Sequence, residues 1–101
     1  MEKFTNYLRE QLENKAEVTE YVNAALEQYF LDRNKALFLS TVKEAIIASG
    51  GITKMSKDTH INRQHIYKIL SSKGNPSFDN IGYLLTALGL QLKVESQPHH
   101  L

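Results

Sequence analysis

Arg63, Gln64, Tyr67 and Lys68 fall close together in a chain of 101 residues. Their chemistry suits a nucleic-acid duplex. Arginine forms paired hydrogen bonds with guanine and glutamine with adenine in the major groove, while lysine and tyrosine hold phosphates. The same residue types also make the polar face of a helix at the edge of any all-α domain, so the elements around them must decide.

Other chemistries are less well served. The chain has no cysteine, which excludes disulfides, thiolate nucleophiles and cysteine-ligated metal centres. His60 and His65 are five residues apart, about 500° of helical rotation, and would not share a face as metal ligands. His65 reads as a surface residue, with a role near phosphate as the alternative, and His99-His100 as an adventitious metal binder at most. The serines sit at helix caps and loop ends, where local backbone bonding accounts for them, and the glutamates of residues 10–27 read as the wet face of amphipathic helices. We find no phosphate-cradling glycine loop and no zinc-hydrolase spacing. Neither enzymatic activity nor a cofactor is expected.

The elements around Arg63 and Gln64 have the pattern of two short helices meeting at a sharp turn. One is expected around Ile52–Thr59 and one around Asn62–Ser71, with a turn at His60-Ile61. Met55 faces the core, Ser56 is the small residue at the crossing, and Ile61, Ile66 and Ile69 are apolar anchors spaced to leave Arg63, Gln64, Tyr67 and Lys68 outside. Before this unit, Phe4, Tyr7, Leu8 and Leu12 recur with helical spacing. Asn14 then reads as a cap, with Glu17 completing a capping box and Val18, Tyr21, Val22, Ala25, Leu26 and Tyr29 forming an apolar stripe. Asp32 is expected to begin a helix with Ala36, Leu39, Val42, Ala45 and Ile46 inside, stopped by Gly50-Gly51. After the loop Lys73-Gly74-Asn75-Pro76, Ser77 caps a helix whose Phe78, Ile81, Leu85 and Leu88 point one way. Gly89 is its left-handed stop, with Leu90 folding back on Leu85. Leu90 to Glu95 alternates strictly and reads as one short strand, which needs a partner.

A formal charge of +1 hides an asymmetry. Within 1–30, Lys3, Arg9 and Lys15 face Glu2, Glu10, Glu13, Glu17, Glu20 and Glu27, a net −3; residues 31–101 carry +4. Within 51–76, Lys54, Lys57, Arg63, Lys68 and Lys73 face Asp58 alone. Such halves are either ordinary surface charge or suited to two different partners. No apolar run approaches the roughly 20 residues of a membrane span, and the start leads into no secretory segment, so a cytoplasmic protein without a membrane partner is expected. We divide the chain into an acidic N-terminal helical extension, 1–30, a DNA-binding domain, 31–95, and a flexible tail, 96–101.

The stretch from Ile66 to Phe78, with Gly50-Gly51-Ile52 before it and Leu84 to Leu90 after it, resembles the HigA-like addiction-module antidote proteins. These belong to the λ-repressor- and Cro-like helix-turn-helix class. Tyr21 to Glu27 is similar to the family's N-terminal helix, so the resemblance covers about residues 16–94. It implies an all-α, phage-repressor-like five-helix domain with an N-terminal extension. It also implies an operator-binding autorepressor that neutralises a RelE/HigB-like ribonuclease toxin encoded beside it. Ser56 and His60 depart from the class's usual alanine and glycine; His60 in a left-handed conformation costs on the order of 1 kcal/mol.

The residues expected to face double-stranded operator DNA are Asn62, Arg63, Gln64, Tyr67, Lys68, Lys73 and Asn75. One recognition helix reaches few base pairs, so a homodimer is expected, with the 90–95 strand as its candidate joint. A ribonuclease is basic where it grips RNA, so the acidic extension is the expected toxin-facing surface. Tyr21 and Tyr29 are expected to be mostly buried, leaving Phe4, Tyr7, Glu10 and Glu13 as contacts. Two alternatives stay open: a helical interaction module without DNA binding, and a solitary phage-type repressor without a toxin.

Overall fold

The computed structural model describes residues 2–71 and 73–96, with side chains from Lys15 onward. The described chain is all-helical: α1 (Glu2–Asp32), α2 (Lys35–Ala48), α3 (Ile52–Thr59), α4 (Arg63–Leu70) and α5 (Phe78–Ala87). Two expected N-terminal helices are thus one, and Asn14 lies inside it rather than at a cap. No glycine or proline interrupts the chain there. A single asparagine costs a helix interior less than about 0.7 kcal/mol, too little to break a 31-residue element.

The true break comes at Asp32-Arg33-Asn34. Asp32 ends α1 instead of starting α2, and its carboxylate accepts the Asn34 N–H at 2.8 Å. Arg33 takes a left-handed conformation, φ 58°. Asn34 is the cap of α2, its side-chain oxygen accepting the Leu37 N–H. The Arg33 guanidinium lies over the Tyr29 and Phe30 rings at 5.5 and 5.3 Å. Hydrogen bonds from Gln28 and the Asn34 amide hold the Asp32 carboxyl below its ordinary range.

α2 is the central element, packing against α1, α3 and α4. Its Phe38, Leu39, Val42, Ala45 and Ile46 meet Val22 and Ala25 of α1, Ile52 and Met55 of α3, Ile66, Ile69 and Leu70 of α4, and Leu84 and Leu85 of α5 in one core. At Gly50-Gly51 the chain turns through 94° into α3. Gly89, at φ +78°, donates to the Thr86 carbonyl at 2.9 Å while the Leu90 N–H bonds Leu85 at 2.8 Å, the expected left-handed stop.

Three further expectations need correction. Tyr21 is 49% exposed, and its hydroxyl donates to Glu44 of α2; that bond and the neighbouring carboxylate push its pKa up. Tyr29 is half-buried. Phe78 is 79% exposed, because it stands in the first turn at the rim of an arc that centres on Leu84 and Leu85. Residues 90–95 form no strand: a strand needs a neighbouring edge, and this all-helical chain supplies none among the described residues. Leu90 packs on the core, whereas Leu92 and Val94 stand in solvent. No single helix among the described residues is long and apolar enough to cross a membrane.

Candidate nucleic-acid interface

The turn between α3 and α4 shows how a histidine can stand where glycine is usual. His60 caps α3 at φ 60°, ψ 20°, its N–H donating to the Ser56 carbonyl at 2.9 Å. Ser56 in turn donates its hydroxyl to the Ile61 carbonyl at 2.7 Å. Thr59 completes the clamp, donating to the Met55 carbonyl and accepting the Ile61 N–H at 3.2 Å. These side-chain bonds satisfy the backbone polar groups of the turn and fix the left-handed residue. Ser56 is therefore more than a small residue at a crossing, and Thr59 was not singled out from the sequence.

Asn62 starts α4, its side-chain oxygen accepting the His65 N–H at 2.7 Å. That oxygen is committed to the helix, so Asn62 acts on the surface mainly by fixing the first turn. Beyond it, Ile66, Ile69 and Leu70 are buried, with Ile66 fully enclosed. Arg63, Gln64, Tyr67 and Lys68 are exposed and share an arc of roughly 140° turned away from that core. An eight-residue helix pinned by three apolar anchors at one side presents these four side chains together at the other.

The loop after α4 folds back onto the helix end. Gly74 donates to the Ser71 carbonyl at 2.9 Å. A β-carbon at position 74 would meet the Lys68 carbonyl oxygen at 2.7 Å, closer than real contacts allow, so only glycine fits this approach. Lys73 and Asn75 are consequently held beside α4, both exposed.

Two lysines of α2 join the surface. Lys35 donates its ammonium to the Asn75 side-chain oxygen at 3.3 Å, and the Lys43 ammonium lies 5.5 Å from the centre of the Tyr67 ring. Both contacts bridge long stretches of sequence, so no local pattern signals them. Asp58, the acidic residue within 51–76, is paired with Lys54 at 2.9 Å. Among the described residues no carboxylate pairs with Arg63, Lys68 or Lys73. The surface thus gathers Lys35, Lys43, Arg63, Lys68 and Lys73 around Gln64 and Tyr67. It has the sign that phosphates attract and hydrogen-bonding groups fit to read base edges.

Phe4, Tyr7, Glu10 and Glu13 lie on the first half of α1, and their side chains fall outside the described residues. His99 and His100 lie outside them as well. Among the described residues no group of three or more histidines and carboxylates is gathered as a metal site.

Residues 2–96 match the family model described as "Probable addiction module antidote protein". The chain belongs to this antidote family. An uncharacterised protein of Haemophilus influenzae is 31% identical over 86 residues, covering 85% of this chain and 84% of that protein. No solved structure matches the chain. Membership supports an antitoxin role and implies a toxin as partner in general.

Proposed function

We propose that this antidote protein is an antitoxin that also represses its own operon, binding double-stranded operator DNA through α4 and neutralising a RelE/HigB-like toxin. The observation that carries the DNA reading is the two-sidedness of α4. Ile66 and Ile69 are locked in the core while Arg63, Gln64, Tyr67 and Lys68 face out beside the loop bearing Lys73 and Asn75. α3, the turn at His60 and α4 then act as a helix-turn-helix, with α4 in the major groove.

The roles divide by chemistry. Arg63 and Gln64, nearest the start of α4, read base edges. Tyr67, Lys68, Lys73 and Asn75 hold the phosphate backbone, and Asn62 fixes the helix that carries them. Replacing Arg63 or Gln64 by alanine is expected to cost about 1–3 kcal/mol on the operator and to relax specificity, whereas Lys68→Ala or Lys73→Ala weakens all sequences alike and flattens the salt dependence. Gel shifts on the region upstream of the gene, against random DNA at several salt concentrations, test this. Equal losses on both DNAs for all four variants would show that α4 does not sit in the groove, leaving an interaction module without DNA binding.

For the toxin we propose the acidic N-terminal region. Glu17, Glu20 and Glu27 are exposed along α1, continuing the negative charge of residues 1–14. A basic ribonuclease surface is complementary to such a face, which speeds encounter and favours the correct partner. Phe4 and Tyr7 are the proposed anchors, with Glu10 and Glu13 as their charged neighbours. A chain shortened to begin near Asn14 retains Val22 and Ala25, the α1 residues buried in the core. It is expected to keep operator binding and lose most toxin affinity in a pull-down with the adjacent gene product. Full neutralisation by the shortened chain would place the toxin surface elsewhere.

A further inference from the structure

The segment after α5 carries a surface that neither α4 nor α1 explains. In extended backbone, Leu90, Leu92 and Val94 share one face and Gln91, Lys93 and Glu95 the other. Leu90 is packed on the core, Leu92 is 46% exposed and Val94 is 96% exposed. An apolar face therefore begins inside the domain and runs out into solvent. Among the described residues Gln91 to Glu95 make no backbone hydrogen bond within the chain.

We propose that residues 90–95 of two copies of this chain pair antiparallel about a twofold axis at Leu92, joining the homodimer that the operator-binding reading calls for. The segment's own residues select this register. In an antiparallel pair, residues that face each other share one side of the ribbon. An axis at Lys93 would oppose two like charges and set Leu90 against Ser96. An axis at Val94 would set Leu92 against Ser96, and one at Gln91 would set Val94 against Leu88, which ends α5 in helical rather than extended backbone. With the axis at Leu92, Leu92 faces its own copy, each Val94 faces the partner copy's Leu90, and each Lys93 faces Gln91. All three apolar residues are matched, and Val94 is carried onto a residue rooted in the partner's core.

The hydrogen bonds agree with this placement. The Leu90 N–H is already committed to Leu85 and the Gly89 N–H to Thr86. If Leu92 occupies a non-hydrogen-bonded pair, the ladder bonds come from Gln91 and Lys93, and neither committed amide is needed. A ribbon this short is marginal alone. The free dimer is consequently weak, and an operator that holds two copies side by side strengthens it.

The chain has no cysteine, so single cysteine substitutions report the register cleanly. Leu92→Cys should form an intermolecular disulfide under mild oxidation at least about tenfold faster than Gln91→Cys or Lys93→Cys, because facing Cα atoms of a non-hydrogen-bonded pair lie about 4.5 Å apart. Adding Val94→Asp to Leu92→Cys should slow that cross-link severalfold. Val94 is so exposed that helix content by circular dichroism should not change. Equal rates at positions 91, 92 and 93, or a rate at 92 that ignores Val94→Asp, would overturn the ribbon. A gel shift on the same proteins separates this from the DNA reading. Operator binding without preferential cross-linking at 92 refutes the ribbon alone, and rapid cross-linking without operator binding refutes the repressor role alone.

Discussion

The α1–α2 and α3–α4 connections are built alike and used differently. In each, a non-glycine residue takes the left-handed conformation, Arg33 at φ 58° and His60 at φ 60°. In each, the residue before it accepts the N–H two positions on, Asp32 from Asn34 and Thr59 from Ile61. Each then leads into a helix capped by asparagine, Asn34 or Asn62. Yet the first turn is flanked by exposed Phe30, Leu31 and Leu37, and the second by Arg63, Gln64 and Lys68. Backbone chemistry fixes the corner, and the side chains left outside decide what it can meet.

The largest expected effect comes from the anchor that keeps the second corner two-sided. Ile66 is fully buried in the common core, on a helix that packs against α2 and α3. Ile66→Ala should destabilise the fold by about 2–5 kcal/mol, through lost burial and a residual cavity, measured by urea unfolding. Operator affinity should fall in step with the folded fraction and not beyond it. A loss of operator affinity at full folding would mean that Ile66 is part of the contact surface, and the two faces of α4 would not be separable.

A smaller effect distinguishes the two left-handed residues. His60→Gly relieves a backbone cost of roughly 1–2 kcal/mol but adds freedom to the unfolded chain, for a net stabilisation of roughly 0.5–1 kcal/mol. Arg33→Gly gains the same relief and loses the guanidinium's contact with two rings, each worth about 0.5–1 kcal/mol at an exposed site, so it should fall between neutral and roughly 1.5 kcal/mol destabilising. Thermal melts of the two variants test the difference. Equal stabilisation would show that the rings contribute nothing at the first corner.

The contrast also explains what could be read from sequence. The second corner was legible because Met55, Ile61, Ile66 and Ile69 have a spacing that places Arg63 and Gln64 outside; the capping role of Asn62, expected to face DNA, appears only in the structure. The first was misread, since Asp32 has the residue type of a helix start but here closes a turn, as its bond to Asn34 shows. Asn14 misled for the complementary reason: a capping residue acts as a cap only where the chain leaves the helix. Leu84 was overlooked and Phe78 overrated because spacing gives an arc and not its centre, which the other helices decide. Lys35 and Lys43 reach the surface through Asn75 and Tyr67, contacts that exist only after α2 and α4 have packed. Residues 90–95 have a strand's pattern, but the neighbouring edge that a strand needs is not supplied by the described residues of one chain.

The smallest expected effect concerns acid, and it acts on one corner alone. Hydrogen bonds from Gln28 and the Asn34 amide lower the Asp32 carboxyl in the folded chain. A depressed carboxyl contributes stability above its unfolded value and loses that contribution as pH falls through the folded one. Below the ordinary carboxylate range, protonated Asp32 therefore holds the Asn34 amide less firmly. At the α3–α4 corner the equivalent acceptor is the Thr59 hydroxyl, which does not titrate there. Amide exchange, corrected for its intrinsic pH dependence, should show Asn34 losing protection on acidification while Ile61 keeps it. Asp32→Asn should remove the pH dependence at Asn34 and leave Ile61 unchanged. Asp32 is open to solvent, so the change belongs to local opening of the turn rather than to global unfolding. Parallel loss at both amides would mean that the two corners open together, and that their likeness extends from construction to stability.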